Sequence, residues 1–398
     1  MEATPSAQPA TLERLRQQLT DLMRVEEYEI VESPEAVIAF RGQVIGDTES
    51  AFERMTQRFA SYGYTALLRD RPGGGHEVLA ARGTLERKPP RPWLNAVLFL
   101  ATLLSVLFIG TTSMLGYAGL IEGLESREDQ LMVLTHLHWG IPFAGTLMAI
   151  LLTHELCHYF VARRHGSPVS LPYFIPLPHI VLPGIVIPSF LGTMGAVIVQ
   201  QAPMRNRKTL FDIGIAGPLG GLIVAIPLLI LGLSLSSVGA PPPGEEVILQ
   251  EGNSLLYMGL KYLVFGEILP SNGRDVWLHP VAFAGWAGLL VTMINLIPVG
   301  QLDGGHTSYA LLGHRAGKLG YLVIAAMVGW GTWLMMNGNE AGGFWLMWGF
   351  LNLFLNPRHP PPLDDATKLD RRRVALGFVM LAIFILTFMP APLRQVVL

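Results

Sequence analysis

Apolar and polar positions divide this chain into two unlike parts. Beyond about residue 93, strongly apolar stretches recur near 93–119, 139–162, 211–236, 279–299, 318–336, 342–355 and 374–390, each near the length that crosses a hydrocarbon core. Before them the pattern is that of a water-soluble fold. TLERLRQQLTDLMRV reads as a helix and AVIAFRG alternates like a strand, while ESAFERMTQRFASYG places Phe52, Met55 and Phe59 on one helical face. GYTALLRD and HEVLAARG follow as strands on either side of a turn at Arg71-Pro72-Gly73-Gly74-Gly75. The pattern predicts a small soluble α+β domain over 1–83, a charged, proline-rich linker over 84–92, and a polytopic α-helical membrane body over 93–390 with about seven spans.

The stretch between the second and third spans breaks the rule. It is apolar, yet Pro172, Pro176, Pro178, Pro183 and Pro188 interrupt it more densely than a lipid-exposed helix allows, and both its flanks are basic. A re-entrant loop that leaves on the side it entered satisfies both facts. Irregular backbone at that depth needs protein or a water-filled cavity beside it, which places a cavity next to the second span.

Composition and charge narrow the class. Apolar residues make up 51% of the chain and charged ones 15%, as suits a body solvated by lipid, and a net charge of −2 argues against a nucleic-acid partner. The single cysteine, Cys157, excludes an internal disulfide framework. The opening residues lack a basic region followed by an apolar one, so no cleaved secretory signal is expected. Arg82, Arg87, Lys88 and Arg91 precede the first span. Arg163, Arg164, Arg205, Arg207 and Lys208 flank the re-entrant loop, and the loop after the first span is acidic. By the positive-inside rule the amino terminus is cytoplasmic.

Chemistry enters in the second span, where LLTHELCHYF carries HExxH. Residues four apart share a helical face, so His154 and His158 can present imidazoles to one metal ion, with Glu155 beside them as general base. An acidic side chain at mid-span costs about 2.5 to 3.5 kcal/mol on insertion scales, which demands a partner or a role. The structural alternative is that these groups only hydrogen-bond neighbouring helices. In GWAGLLVTMINLIPVGQLDGGH the apolar run breaks at Pro298 and Gly300, and Asp303 at its broken end is the candidate third ligand, against a plainer role as a helix N-cap. Cys157 is expected to face away from both histidines.

HELCH in one span and NLIPVGQLDGGH in a later one resemble the paired signatures of the site-2 protease family of intramembrane zinc metalloproteases. PYFIP, GTMGAV and FDIGIAGPLGG further resemble its EGY-like branch, found in cyanobacteria and plastids. The resemblance implies one Zn2+ per chain on His154, His158 and Asp303, Glu155 as the catalytic glutamate, and Asn295 as support for the oxyanion. It also implies that the re-entrant segment holds substrate extended through backbone near Gly192 and Gly195. On that basis the expected activity is peptide-bond hydrolysis in or near transmembrane segments of membrane-protein substrates. The donor set alone also suits iron or cobalt. A metal or ion transporter, or a catalytically silent scaffold, is the alternative, although no second HExxH-like segment marks the repeated halves a transporter would show. The expected setting is a bacterial inner membrane, with a plastid membrane as the alternative.

Overall fold

In the computed structural model the described residues are 9–31, 37–83, 91–121, 124, 126–182, 185–187, 189–240 and 247–397. The amino-terminal unit runs α1 (Pro9–Leu19), β1 (Met23–Val31), β2 (Val37–Val44), α2 (Thr48–Ala60), β3 (Tyr64–Asp70) and β4 (His76–Arg82). Its strands form one antiparallel sheet in the order β1-β2-β4-β3. Phe52, Met55 and Phe59 are buried together with Leu15, Leu19, Ile38 and Phe40, so the face predicted for α2 does fill this core. Strand β1 is an addition: its first residues, MRV, were expected to end a helix, and no element was expected over EEYEIV. The core is closed from outside the unit by Ala366, with Leu363 packed against it, so the soluble-looking part and the body share apolar surface. Most of the expected linker, residues 84–90, lies outside the described residues.

The body opens with α3 (Pro92–Tyr117), α4 (Arg127–Thr135) and α5 (Ile141–Arg164). The stretch expected to be re-entrant follows as four short strands: β5 (Tyr173–Pro176), β6 (Ile180–Leu182), β7 (Ile185–Ile187) and β8 (Thr193–Val197). β5 pairs with β8 and β6 with β7, both antiparallel. Then come α6 (Arg207–Ser234), β9 (Ser237–Gly239), β10 (Val247–Glu251), α7 (Leu255–Phe265), β11 (Asp275–Trp277) and α8 (Pro280–Asn295). The chain ends with α9 (Asp303–Leu312), α10 (Arg315–Met336), α11 (Ala341–Phe354), α12 (Arg371–Thr387) and β12 (Leu393–Val397).

All seven apolar stretches are helical, but the count of seven spans is not matched by length. Among the described residues four helices are long and apolar enough to cross a membrane: α3, the run Leu137–Arg164 that contains α5, α6, and α10. Helix α8 has 16 residues and α11 has 14, about 24 and 21 Å at 1.5 Å per residue, short of a hydrocarbon core of about 30 Å. Helix α7, at 11 residues, is shorter still.

Helices α5, α6 and α8 pack as the centre of the body around Leu147, Ile150, Leu151, Ala225, Leu229 and Trp286. Glycine makes their close approach possible. A Cβ on Gly285 would lie 2.9 Å from Leu229 Cα, and one on Gly232 would lie 2.2 Å from Ala282 N. On the amino-terminal side the two parts are pinned together. Leu68 of β3 donates to Leu363 O (2.9 Å), Asp365 N donates to Leu68 O (2.9 Å), and Glu49 of α2 bonds both Asn206 Nδ2 (3.0 Å) and Lys208 Nζ (2.7 Å) at the start of α6.

Candidate metal centre

Helix α5 presents His154, Glu155 and His158 inward, all buried, toward the start of α9. His158 lies six residues and His154 ten residues from the end of α5, about 9 and 15 Å from the face that carries the amino-terminal unit. Asp303 reaches them because the chain turns sharply after α8. A Cβ on Gly304 would meet Leu296 O at 2.0 Å and one on Gly305 would meet Gly300 O at 2.3 Å, so the Asp-Gly-Gly sequence is what lets the turn close. Asp303 is the first residue of α9, while the cap position belongs to Leu302, which makes no side-chain cap bond. The plainer N-cap role is therefore not the one this residue fills.

Ligand-type atoms of three residues converge. His154 Nε2 lies 3.2 Å from Asp303 Oδ2, His158 Nε2 lies 3.2 Å from Asp303 Oδ1, and the two Nε2 atoms are 3.1 Å apart. Ligands at 2.0–2.1 Å from a tetrahedral zinc are separated by about 3.3 Å, so this spacing fits one ion between them. The tautomer agrees. His158 Nδ1 lies 2.7 Å from the Ile213 carbonyl, which can only accept, so Nδ1 carries the proton and Nε2 keeps its lone pair for a metal. Asn295, the last residue of α8, places Nδ2 3.4 Å from His154 Nε2.

These side chains line a pocket of about 140 Å³ together with Ala196, Val197, Ile198 and Gln200 of the re-entrant segment, and with Gln301 and His306. Strand β8 has a single strand partner, β5, so one of its edges is unpaired among the described residues. Gly195 has open space where a Cβ would stand and adopts φ +100° beside pocket-lining Ala196. Gly192 sits elsewhere: its Cβ position is 2.7 Å from Ser105 O and Val106 Cα of α3, so its backbone is pressed against that helix. The structure thus brings together His154, Glu155, His158, Asn295 and Asp303, sets Gly195 at the pocket's margin, and leaves Gly192 outside it.

Cys157 requires a correction. Positions 154, 157 and 158 are spaced i, i+3 and i+4 and share the face turned toward α6. A Cβ on Gly220 would lie 2.3 Å from Cys157 Sγ, one on Gly217 only 2.0 Å from His158 Nε2, and one on Gly221 3.3 Å from His154 Nδ1. Cys157 is packed beside the histidines without joining the metal-binding group. The same comparison reveals what the sequence reading missed. The glycines of IGIAGPLGG form the surface on which the metal-binding face of α5 rests, and their helical spacing was the available signal.

A second missed element is a polar chain leading away from the pocket. His306 Nδ1 lies 2.7 Å from His359 Nε2, and the His359 ring packs at 4.9 Å against Tyr309, whose hydroxyl donates to Asp365 Oδ2 (3.1 Å). Arg207 Nε donates to the other oxygen of Asp365 (2.8 Å). Burial pushes the His359 imidazole down to about 4, so it is neutral at physiological pH.

The fold and this centre define a class: polytopic membrane proteins with a His-His-Asp group that could hold a metal and an adjacent glutamate beside a small sheet. Residues 142–336 match the model of peptidase family M50, and the chain is similar to relatives of the EGY-like branch. It is 27% identical over 373 residues to the probable zinc metalloprotease EGY2, chloroplastic, of Oryza sativa subsp. indica, covering 90% of this chain and 62% of that protein. It is 28% identical over 386 residues to the probable zinc metalloprotease EGY1, chloroplastic, of Arabidopsis thaliana, covering 89% and 66%. The chain thus spans about two thirds or less of the length of these relatives. No solved structure matches it. The zinc in the relatives' names agrees with the donor set found here.

Proposed function

We propose that this chain is an intramembrane zinc metalloendopeptidase that hydrolyses peptide bonds in or near transmembrane segments of membrane-protein substrates. The observation that carries this reading is the convergence of His154, His158 and Asp303 on one point, beside Glu155 and within a pocket cut into apolar helices. When bound there, zinc supplies polarisation of a water molecule and of the scissile carbonyl. Glu155 takes the proton from the attacking water and returns it to the leaving amide nitrogen. The Asn295 amide, at the pocket wall, donates to the oxygen on which negative charge develops. The free edge of β8, at Gly195 and Ala196, adds the substrate as a further strand, so that main-chain hydrogen bonds hold it extended without strict sequence demands. Gly192 serves that arrangement indirectly by letting the turn before β8 lie on α3.

The amino-terminal unit, the basic loop ends and the nearer mouth of the pocket share one face. The chloroplastic relatives support a plastid membrane as the setting. The bacterial inner membrane expected from the sequence gains no support from them.

The test is cleavage of a designed single-span substrate in detergent by wild type and by Glu155→Gln, with bound zinc quantified in both. The expected outcome is a rate loss of about 10²- to 10⁴-fold with zinc content unchanged. Equal rates in the two proteins would overturn the assignment of Glu155, and no cleavage by zinc-loaded wild type would favour a transporter or a silent scaffold.

A further inference from the structure

A second cavity lies between the amino-terminal unit and the body. It encloses about 450 Å³ and is lined on one side by Phe52, Glu53, Thr56 and Gln57 of α2, and on the other by residues at the end of α5 and before α6. The two walls are held at a fixed separation. Glu53 pairs with Arg205 at 3.2 Å across the cleft, Glu49 with Lys208 at 2.7 Å beside it, and Leu68 with Leu363 through the backbone. Had α2 served only to fasten the unit to the membrane body, this face would be expected to close on it. It stands open instead.

The cleft continues the metal pocket. The β5–β8 ribbon extends past its named strands, with Ser170 N donating to Val199 O (3.0 Å), Val169 bridging Gln200, and Gln201 N donating to Pro168 O (2.9 Å). Ala196, Val197, Ile198 and Gln200 of this ribbon line the metal pocket, while Ala202, Pro203 and Pro168 line the cleft. Only Gln201 separates the two linings, about 7 Å of extended chain. A peptide laid along β8 as an added strand and continued toward the amino-terminal unit therefore runs directly into the cleft. Its lining suits such an occupant. Phe52, Leu363 and the prolines offer apolar contact, Thr56, Gln57 and His165 offer hydrogen bonds, and the Glu53–Arg205 pair leaves no net charge to select for.

We propose that this cleft is a subsite for the extended flank of the substrate, the stretch just outside the membrane on the side of the amino-terminal unit, which makes α2 part of the substrate-binding surface. The proposal rests on the protease reading above. Pocket and cleft together clamp the chain on both sides of the point where a helix must give way to an extended segment.

The test places a photo-crosslinking residue at Gln57 or at Val197, each in the Glu155→Gln background of the full chain. The probe is a single-span substrate with a helix-destabilised segment and a hydrophilic flank on that side. Adducts mapped by mass spectrometry to the substrate flank from Gln57, and to its scissile region from Val197, are the expected result. Capture from Val197 with only lipid or nothing from Gln57 would overturn the subsite while leaving the protease reading standing. Capture from neither position overturns both. As a second readout, Gln57→Trp in otherwise wild-type protein should raise KM about fivefold for the flanked substrate with kcat unchanged, and leave a substrate lacking the flank unaffected. An equal effect on both substrates would assign Gln57→Trp a merely structural consequence and overturn the subsite.

Discussion

The two ends of the membrane body both bury ionisable groups, and they do so in opposite ways. At the far end Lys261 of α7 is fully buried, 3.5 Å from Asp275 Oδ1 and 4.7 Å above the Tyr257 ring. Tyr257 donates to Glu251 Oε1 (3.0 Å), Gln250 donates to Asp275 Oδ2 (2.6 Å), and Trp286 donates to Gly252 O (2.9 Å). Cation faces anion at ion-pair distance, so the cluster carries its own charge balance although Lys261 Nζ has no hydrogen-bond partner among the described residues. At the metal end the converging atoms of His154, His158 and Asp303 are all of metal-ligand type, with no lysine or arginine among the residues that line the pocket. Such a donor set is stabilised by a cation held between its members. Burial of charge alone does not separate a site from a structural cluster; whether the buried groups already face an opposite charge does.

The largest break in this comparison should come from Asp303→Ala. Losing one of three ligands is expected to lower zinc affinity at least about 100-fold, measured as zinc retained after dialysis against a graded chelator. Lys261→Met, an equally buried change, should leave retained zinc at the wild-type level. If both variants lose zinc alike, the two ends are coupled and the contrast fails.

Lys261→Met should act on stability instead. Removing the cation leaves Asp275 without its ion-pair partner, and breaking a buried pair costs about 3 kcal/mol or more. Thermal unfolding in detergent would read this as a lowered midpoint. Pairing it with Asp275→Asn should recover part of the loss, because no unpaired carboxylate then remains at that position. A double variant no better than the single would show that packing of the lysine stem, not charge balance, holds this end.

A smaller and more local effect is expected from Gly217→Ala. The added Cβ would meet His158 Nε2 at 2.0 Å, so α5 and α6 must separate or the imidazole must turn. Overpacking of this kind costs about 2 kcal/mol, and here it falls on a ligand, so zinc retention should drop with it. Gly329→Ala, on α10 with no atom within 4 Å of its Cβ position, is the control and should change neither.

The sequence made the metal end legible because its chemistry is written in short spacings. HExxH puts two candidate ligands on one helical face, a polar residue at the broken end of an apolar run marks the candidate third, and the structure brings the three together. What escaped depends on residues brought together from far apart. The role of the α6 glycines follows from how closely α5 approaches them, and the place of Cys157 from which helix its face meets. Strand β1 was hidden by Glu26, Glu27 and Glu29, charges tolerated because β1 is an edge strand of its sheet. The far cluster gave still less signal, since it is assembled from β10, α7 and β11, and β10 finds its partner only in the final strand, β12.

The far cluster also predicts a pH dependence that the metal end complicates and a difference measurement isolates. Burial raises the Glu251 carboxyl to about 7 from its ordinary 4.5, outweighing the attraction of Lys261. Tyr257, Lys261 and Asp275 are the groups that face it. Between pH 4.5 and 7 the folded protein therefore holds a proton on Glu251 that the unfolded chain has released. Folding binds protons in that window, so this contribution to stability is present at the acid end and is lost as pH rises through about 7. The metal end changes with pH too, since metal ligands must be deprotonated to bind. Comparing wild type with Glu251→Gln, both zinc-loaded, removes that common background because the metal centre is the same in each. The unfolding midpoint of wild type should fall relative to the variant between pH 5 and 7.5, with the difference levelling off above that range. A constant difference across the whole range would mean that Glu251 is ionised in the folded protein throughout, held by Lys261 as a permanent ion pair.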